Sequence, residues 1–220
     1  MTPLLVFDVN ETLLDLGALR PAFRDAIGTD APMGEWFARM LHGSLVANHT
    51  NSYRPFDLIG VEALMVVAQK LGIDLDIDRA AAVVGGMRTL PPHEEVPGVL
   101  ARLAAAGTRM VALTNSSHDA AVAQIENAGL SAYFEDVLSV DMIRRFKPAP
   151  EVYLAAAARL GVEIDEMLMV AAHDWDIIGA RSVGCPGAFI ARPGVVWGIP
   201  ADPPDIIGRD LTVLEELRLP

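Results

Sequence analysis

The chain has 220 residues, 52% of them hydrophobic, with a formal net charge of −12. That length buries a full core, in one domain or one domain plus an insertion. The acidity disfavours nucleic acid and anionic membrane surfaces as partners, and any site for an anion must be built locally. The lone cysteine, Cys185, rules out an internal disulfide, suits a reducing cytoplasm and reads as a packing residue beside Pro186. The first apolar stretch is interrupted by Asp8 and lacks a basic lead-in, so no signal peptide is expected. No apolar run reaches the length of a membrane span.

In chain order, Leu4–Phe7 is an unbroken apolar run, the pattern of a strand buried on both faces of a parallel sheet. Asp8 follows at once, then Asn10, Glu11 and Thr12. A carboxylate at the C-terminal end of a central strand sits where open α/β sheets bind ligands, and a rigid strand pre-positions it as a nucleophile. Taken alone, Asp8 reads equally as a cap of a turn or helix.

Helical patterns follow over 16–27, 35–46, 56–71 and 78–87, with a polar, turn-rich stretch at 48–55. No strand pattern interrupts them, and Pro91-Pro92 ends the region. Residues 16–90 therefore read as a helical cap inserted after the first strand, with 1–15 and 91–220 as the core. From Pro97 helix and strand alternate: helix 98–106, strand 109–113, helix 120–128, strand 137–139, helix 150–160, strand 167–171, helix 177–183 and strand 187–190. A final strand at 206–207 and helix at 211–219 complete the pattern. Such alternation predicts an α/β fold, a Rossmann-like parallel sheet covered on both faces.

Three strand ends carry polar clusters: Asp8–Thr12, Thr114–Ser117 and His173–Asp176. A fourth, around Lys147 in RRFKPAPEVY, precedes a helix. All strand C-termini of a parallel sheet lie on one edge, so these loops should converge. Together, FDVNETLLDL, LTNSS, RFKPAPEVY and AAHDWDIIGA resemble the four motifs of the haloacid dehalogenase superfamily, and most closely its type II, or L-2-haloacid, dehalogenases. The resemblance spans essentially the whole chain.

It implies the following roles. Asp8 is the nucleophile that displaces halide from C2 and becomes an ester, and Lys147 keeps it ionised by opposite charge. Thr12, Thr114 and Asn115 donate hydrogen bonds to carboxylate oxygens, although each also fits ordinary turn capping. Asp176 orients Lys147. Tyr153, which could simply be core, and Trp175 fall on motif positions near the substrate, and Phe56 matches a hydrophobic pocket residue. The substrate is a small haloacid, the subunits form a homodimer, and no cofactor is needed.

Phosphatases of the superfamily place a second acid two residues after the nucleophile and another four before the last motif acid. Here those positions are Asn10, which is expected to contact the substrate instead, and Ala172. Two such losses leave a poor site for a hard cation, so no metal is expected and attack on carbon is favoured over phosphoryl transfer. A small-molecule phosphatase and a non-catalytic binding member are the alternatives.

The chain also departs from the usual dehalogenase. The family commonly has an aromatic residue and then glycine where this chain has Asn10 and Glu11, and Ser-Ser-Asn where it has Ala171-Ala172-His173. A cap arginine commonly follows a tryptophan directly; here Phe37 follows Trp36, and the nearest arginine is Arg39. Arg39 is the expected anion-binding residue, although two residues along a helix is about 200° of rotation. His42, Asn48, His49 and Arg54 are other cap candidates. The paired appearance of Glu11 and His173 predicts a water-activating base, with Glu11 orienting the ring of His173. His93, in the PPHEE turn, reads as solvated, and His118 as a helix-start residue.

Overall fold

A computed structural model describes residues 3–198 and 200–216. Six parallel strands form one sheet: β1 (Leu4–Phe7), β2 (Met110–Thr114), β3 (Asp136–Ser139), β4 (Met167–Ala171), β5 (Gly187–Ile190) and β6 (Ile206–Gly208). Their order is β3-β2-β1-β4-β5-β6. Strand β1 pairs with β2 on one side and β4 on the other, and every residue of the three is buried. The strand order reverses between β1 and β4. A crevice at their C-terminal ends is where such sheets bind ligands. Helices α5 (Val96–Ala105), α6 (His118–Asn127), α7 (Pro150–Leu160) and α8 (Asp174–Arg181) cover the sheet.

Between β1 and α5 the chain forms α1 (Arg20–Ile27), α2 (Met33–Thr50), α3 (Phe56–Lys70) and α4 (Ile77–Gly85). Trp36, fully buried, anchors this group: its indole N–H donates to the Gly60 carbonyl at 2.9 Å, and Phe23 packs edge-on at 5.1 Å. Where the chain leaves and re-enters the sheet layer, the two connections run side by side. Asp15 N donates to Pro91 O at 2.8 Å and His93 N to Leu13 O at 3.0 Å.

Some elements differ from their sequence pattern. The first cap helix starts as a 3-10 turn, Leu16–Leu19, because Asp15 accepts from Gly17 N and Pro21 restarts the helix. Helix α2 runs on to Thr50, whose hydroxyl donates back to Val46 O, so a polar stretch stays helical. The last motif's helix starts at Asp174 instead of 177. The terminal helix expected over 211–219 is a 3-10 helix over Leu211–Glu216, and its last three residues lie outside the described ones. No described helix is long and apolar enough to cross a membrane.

Candidate active site

Asp8 is carried one residue past β1 and is 4% exposed; its backbone N–H still donates to Val170 O at 3.0 Å. Each carboxylate oxygen has its own partners. Oδ1 accepts from Lys147 Nζ at 2.9 Å. Oδ2 accepts from the Thr12 hydroxyl at 2.7 Å and lies 3.1 Å from His173 Nδ1. Thr12 Oγ1 in turn accepts from Ala172 N at 2.9 Å, which ties the first loop to the end of β4.

Lys147 is buried and spends all three ammonium protons: on Asp8, on Asp176 Oδ2 at 2.7 Å and on Leu113 O at 2.8 Å. Tyr153, buried on α7, donates to Asp176 Oδ1 at 2.6 Å. Lys147 therefore fills the gap between the two carboxylates. A hard cation wants several oxygen ligands, and among the described residues no group of three or more His, Cys, Asp or Glu is placed to hold a metal.

His173 continues the network outward. Its Nε2 lies 2.9 Å from Glu11 Oε2, and its ring is sandwiched between Phe37 at 5.9 Å and Trp175 at 4.9 Å. Burial pulls the imidazole pKa down, but hydrogen bonds and charge from Asp8 and Glu11 outweigh it and push it up to about 10. The resting ring is thus an imidazolium with both N–H groups donating to carboxylates. Burial would raise the Asp8 carboxyl, yet Lys147 and His173 hold it well below the usual range. Burial opposes the charge of Lys147, but Asp176 and Asp8 raise its pKa above the ordinary value. The Asp8 carboxylate is ionised and fixed by two cations.

Asn115 accepts from Lys147 N at 2.9 Å, while its buried Nδ2 has no hydrogen-bond partner. A buried donor left unpaired is costly and marks a place for an acceptor. Thr114 ends β2, and its hydroxyl accepts from Ser116 N at 3.1 Å.

Other expected residues are engaged differently. Asn10 donates to Ser116 Oγ at 3.2 Å and accepts from Gln124 at 2.8 Å, a brace between loops. Phe56 is buried at the start of α3, 5.8 Å from Phe146, and lines a cavity of about 130 Å³ beside Ser116 and Gln124. Trp175 packs on His173.

Arg39 is not at this site: it is part-exposed and paired with Glu35 at 2.9 Å. The physical reason is helical rotation, since Phe37, two residues earlier, is the residue of α2 that meets His173. Of the other cap candidates, Asn48 is spent on the backbone of Phe146, His49 on Leu45 O and Arg54 on Glu62. His93 is half-buried instead of solvated, and meets the Glu11 carbonyl. Sequence reasoning missed Phe37 and Arg192. Only Arg192 carried a local signal, a guanidinium directly after an apolar strand.

The model of haloacid dehalogenase-like hydrolases matches residues 2–184. The chain belongs to this family. Within it, the chain falls with the type II, L-2-haloacid dehalogenases. It is 30% identical to an (S)-2-haloacid dehalogenase of Pseudomonas sp. (strain YL), covering 97% of this chain and 93% of that one. It is 26% identical to haloacetate dehalogenase H-2 of Moraxella sp. (strain B), covering 91% of each. The fold matches an L-2-haloacid dehalogenase from Xanthobacter autotrophicus, solved with chloropropionic acid covalently bound, with a TM-score of 0.89, 26% identity and 97% of both chains covered. These family relatives agree with the α/β fold and with the hydrolase class read from the motifs.

Proposed function

We propose that this hydrolase, which acts on carbon–halide bonds, converts short 2-haloalkanoates, haloacetates and L-2-haloacids, to 2-hydroxy acids through an ester on Asp8. The observation that carries the reading is the buried Asp8 carboxylate, ionised between Lys147 and His173.

In the first step an Asp8 oxygen attacks C2. A C2–O bond forms, the carbon–halogen bond breaks, and its electron pair leaves with the halide. Asp8 becomes a neutral ester, so His173 loses the charge that held its proton, while Glu11 retains its contact. The proton leaves through the part-exposed Glu11 side, and neutral His173 becomes a base for water. Water then attacks the ester carbonyl, its proton passes to His173, and the acyl–oxygen bond breaks. The product alkoxide takes that proton. Asp8 is restored with one oxygen from water, the remaining water proton passes from its carboxyl to His173 and regenerates the imidazolium, and C2 is inverted because only the first step touches it. Asn115 Nδ2 supplies a donor for the substrate carboxylate or the departing halide.

Phosphoryl transfer fits less well, since Asn10 is committed to a structural brace and Lys147 takes the place between the acids. Halide release from chloroacetate, bromoacetate and both 2-chloropropanoates, measured with EDTA, tests the reading. The expected result is release that persists in EDTA and is lost in Asp8→Asn. Magnesium-dependent release of phosphate from p-nitrophenyl phosphate without dehalogenation would sink it. The homodimer implied by the resemblance and the cytoplasmic location suggested by the lone cysteine belong to the same proposal, and sedimentation would test the former.

A further inference from the structure

Glu11 has a backbone φ of 61°, in the left-handed region, and it is neither Gly, Asn nor Asp. Crowding between Cβ and the carbonyl disfavours this conformation, which persists only where the surroundings impose it. The turn itself contributes two bonds, Leu13 N and Leu14 N to Val9 O, at 2.9 and 3.1 Å. Neither acts on Glu11 or Thr12.

Two side chains from outside the turn act there. His93 Nε2 lies 3.1 Å from the Glu11 carbonyl; a carbonyl only accepts, so this nitrogen carries the proton. Arg192, 6% exposed, donates from Nε and Nη2 to the Thr12 carbonyl at 3.2 and 2.6 Å. Its third arm, Nη1, meets Glu95 Oε1 at 2.5 Å, which balances the buried charge. Successive carbonyls of one strained turn are thus held by two cationic or polar side chains. One comes from the return of the cap and one from the end of β5. Neither touches Asp8, Lys147 or His173 in any contact given above.

We propose that Arg192 and His93 are positioning residues that clamp the Glu11–Thr12 turn in its left-handed form. The clamp aims the Glu11 carboxylate at His173 and the Thr12 hydroxyl at Asp8. Glycine would adopt this φ unaided, but would supply no carboxylate. Placing a carboxylate there therefore requires a brace. The inference rests on the reading that His173 with Glu11 hydrolyses the Asp8 ester. Thr12 has further support from Ala172 N. Among the described residues Glu11 has only His93 and His173 as such partners, so loss of the clamp falls mainly on the second step.

The test uses rapid quench with bromoacetate, reading bromide release for alkylation and the mass of the Asp8 peptide for ester hydrolysis. Arg192→Gln, His93→Phe and Glu11→Gly are measured, with each of the first two also combined with the third. Arg192→Gln is expected to slow ester hydrolysis by about tenfold to a hundredfold, the scale of a misplaced group, and alkylation by less. The slowing should vanish on the Glu11→Gly background. In melting experiments, Arg192→Gln and His93→Phe should lower Tm less on that background, because glycine needs no brace. If Arg192→Gln fails to fold, His93→Phe carries the same comparison, since it leaves Glu95 and Arg192 paired. Equal slowing and equal loss of Tm with and without Glu11→Gly would overturn the clamp. Coupled Tm values without any change in ester lifetime would keep the clamp but remove the catalytic reading of Glu11 and His173.

Discussion

His173 Nδ1 lies 3.1 Å from Asp8 Oδ2, so the residue proposed as a base for water meets the proposed nucleophile itself. A protonated ring at that place stabilises the Asp8 anion. On the proposed route, the same ring becomes a base only when alkylation removes the anion's charge. The two roles are therefore separated in time by the chemistry of Asp8.

From this order of events, His173→Ala should still alkylate Asp8 once and then stall. Mass spectrometry after bromoacetate should find the Asp8 peptide carrying one carboxymethyl group at near-stoichiometric yield. Halide should appear as a single burst. Absence of both burst and adduct in a folded variant would assign His173 to the first step alone.

The raised pKa of His173 also sets a pH dependence of stability. The folded imidazole titrates at about 10 against an ordinary value of 6.5, so the folded state binds the proton more tightly. That stabilisation is complete below about 6.5 and is lost as pH rises through about 10. The Tm advantage of the wild type over His173→Gln should therefore be greatest near pH 6 and shrink steadily towards pH 10. A gap that widens with pH would contradict the pairing.

Lys147→Met removes the cation between two buried carboxylates and leaves Asp8 and Asp176 facing each other. Breaking one side of a buried pair costs about 3–5 kcal/mol. Denaturant unfolding should register that loss at neutral pH. Halide release should fall steeply, because Asp8 loses one of the two cations that hold it ionised and oriented.

Arg39→Ala should leave kcat and KM for bromoacetate unchanged, since Arg39 is engaged in an exposed pair with Glu35, where such pairs contribute little. A large rise in KM would restore it as the anion-binding residue. Phe37→Ala, by contrast, opens one face of the His173 sandwich and should slow ester hydrolysis.

What the residues alone determined about this protein is its sheet and the converging loops. A fully apolar Leu4–Phe7 ending in Asp8 has the pattern of a central parallel strand with its acid at the ligand-binding edge, and Met110–Thr114 and Met167–Ala171, which repeat it, decide between that and a capping acid. Periodicity likewise located the inserted helices, since burial on one helical face is a local property of spacing. Only the tertiary structure decided which polar groups meet. Arg39 and Phe37 are nearly opposite on α2, and the packing of α2 turned the aromatic ring, not the guanidinium, towards His173. Asn10 looked like a ligand-facing residue until Gln124, 114 positions away, took its carbonyl. Arg192 and His93 lie far along the chain from Glu11, and their bonds go to backbone carbonyls that have no residue-specific signature. The left-handed φ at Glu11 was equally invisible, because a glutamate gives no local reason to adopt it and the reason lies in those two distant side chains.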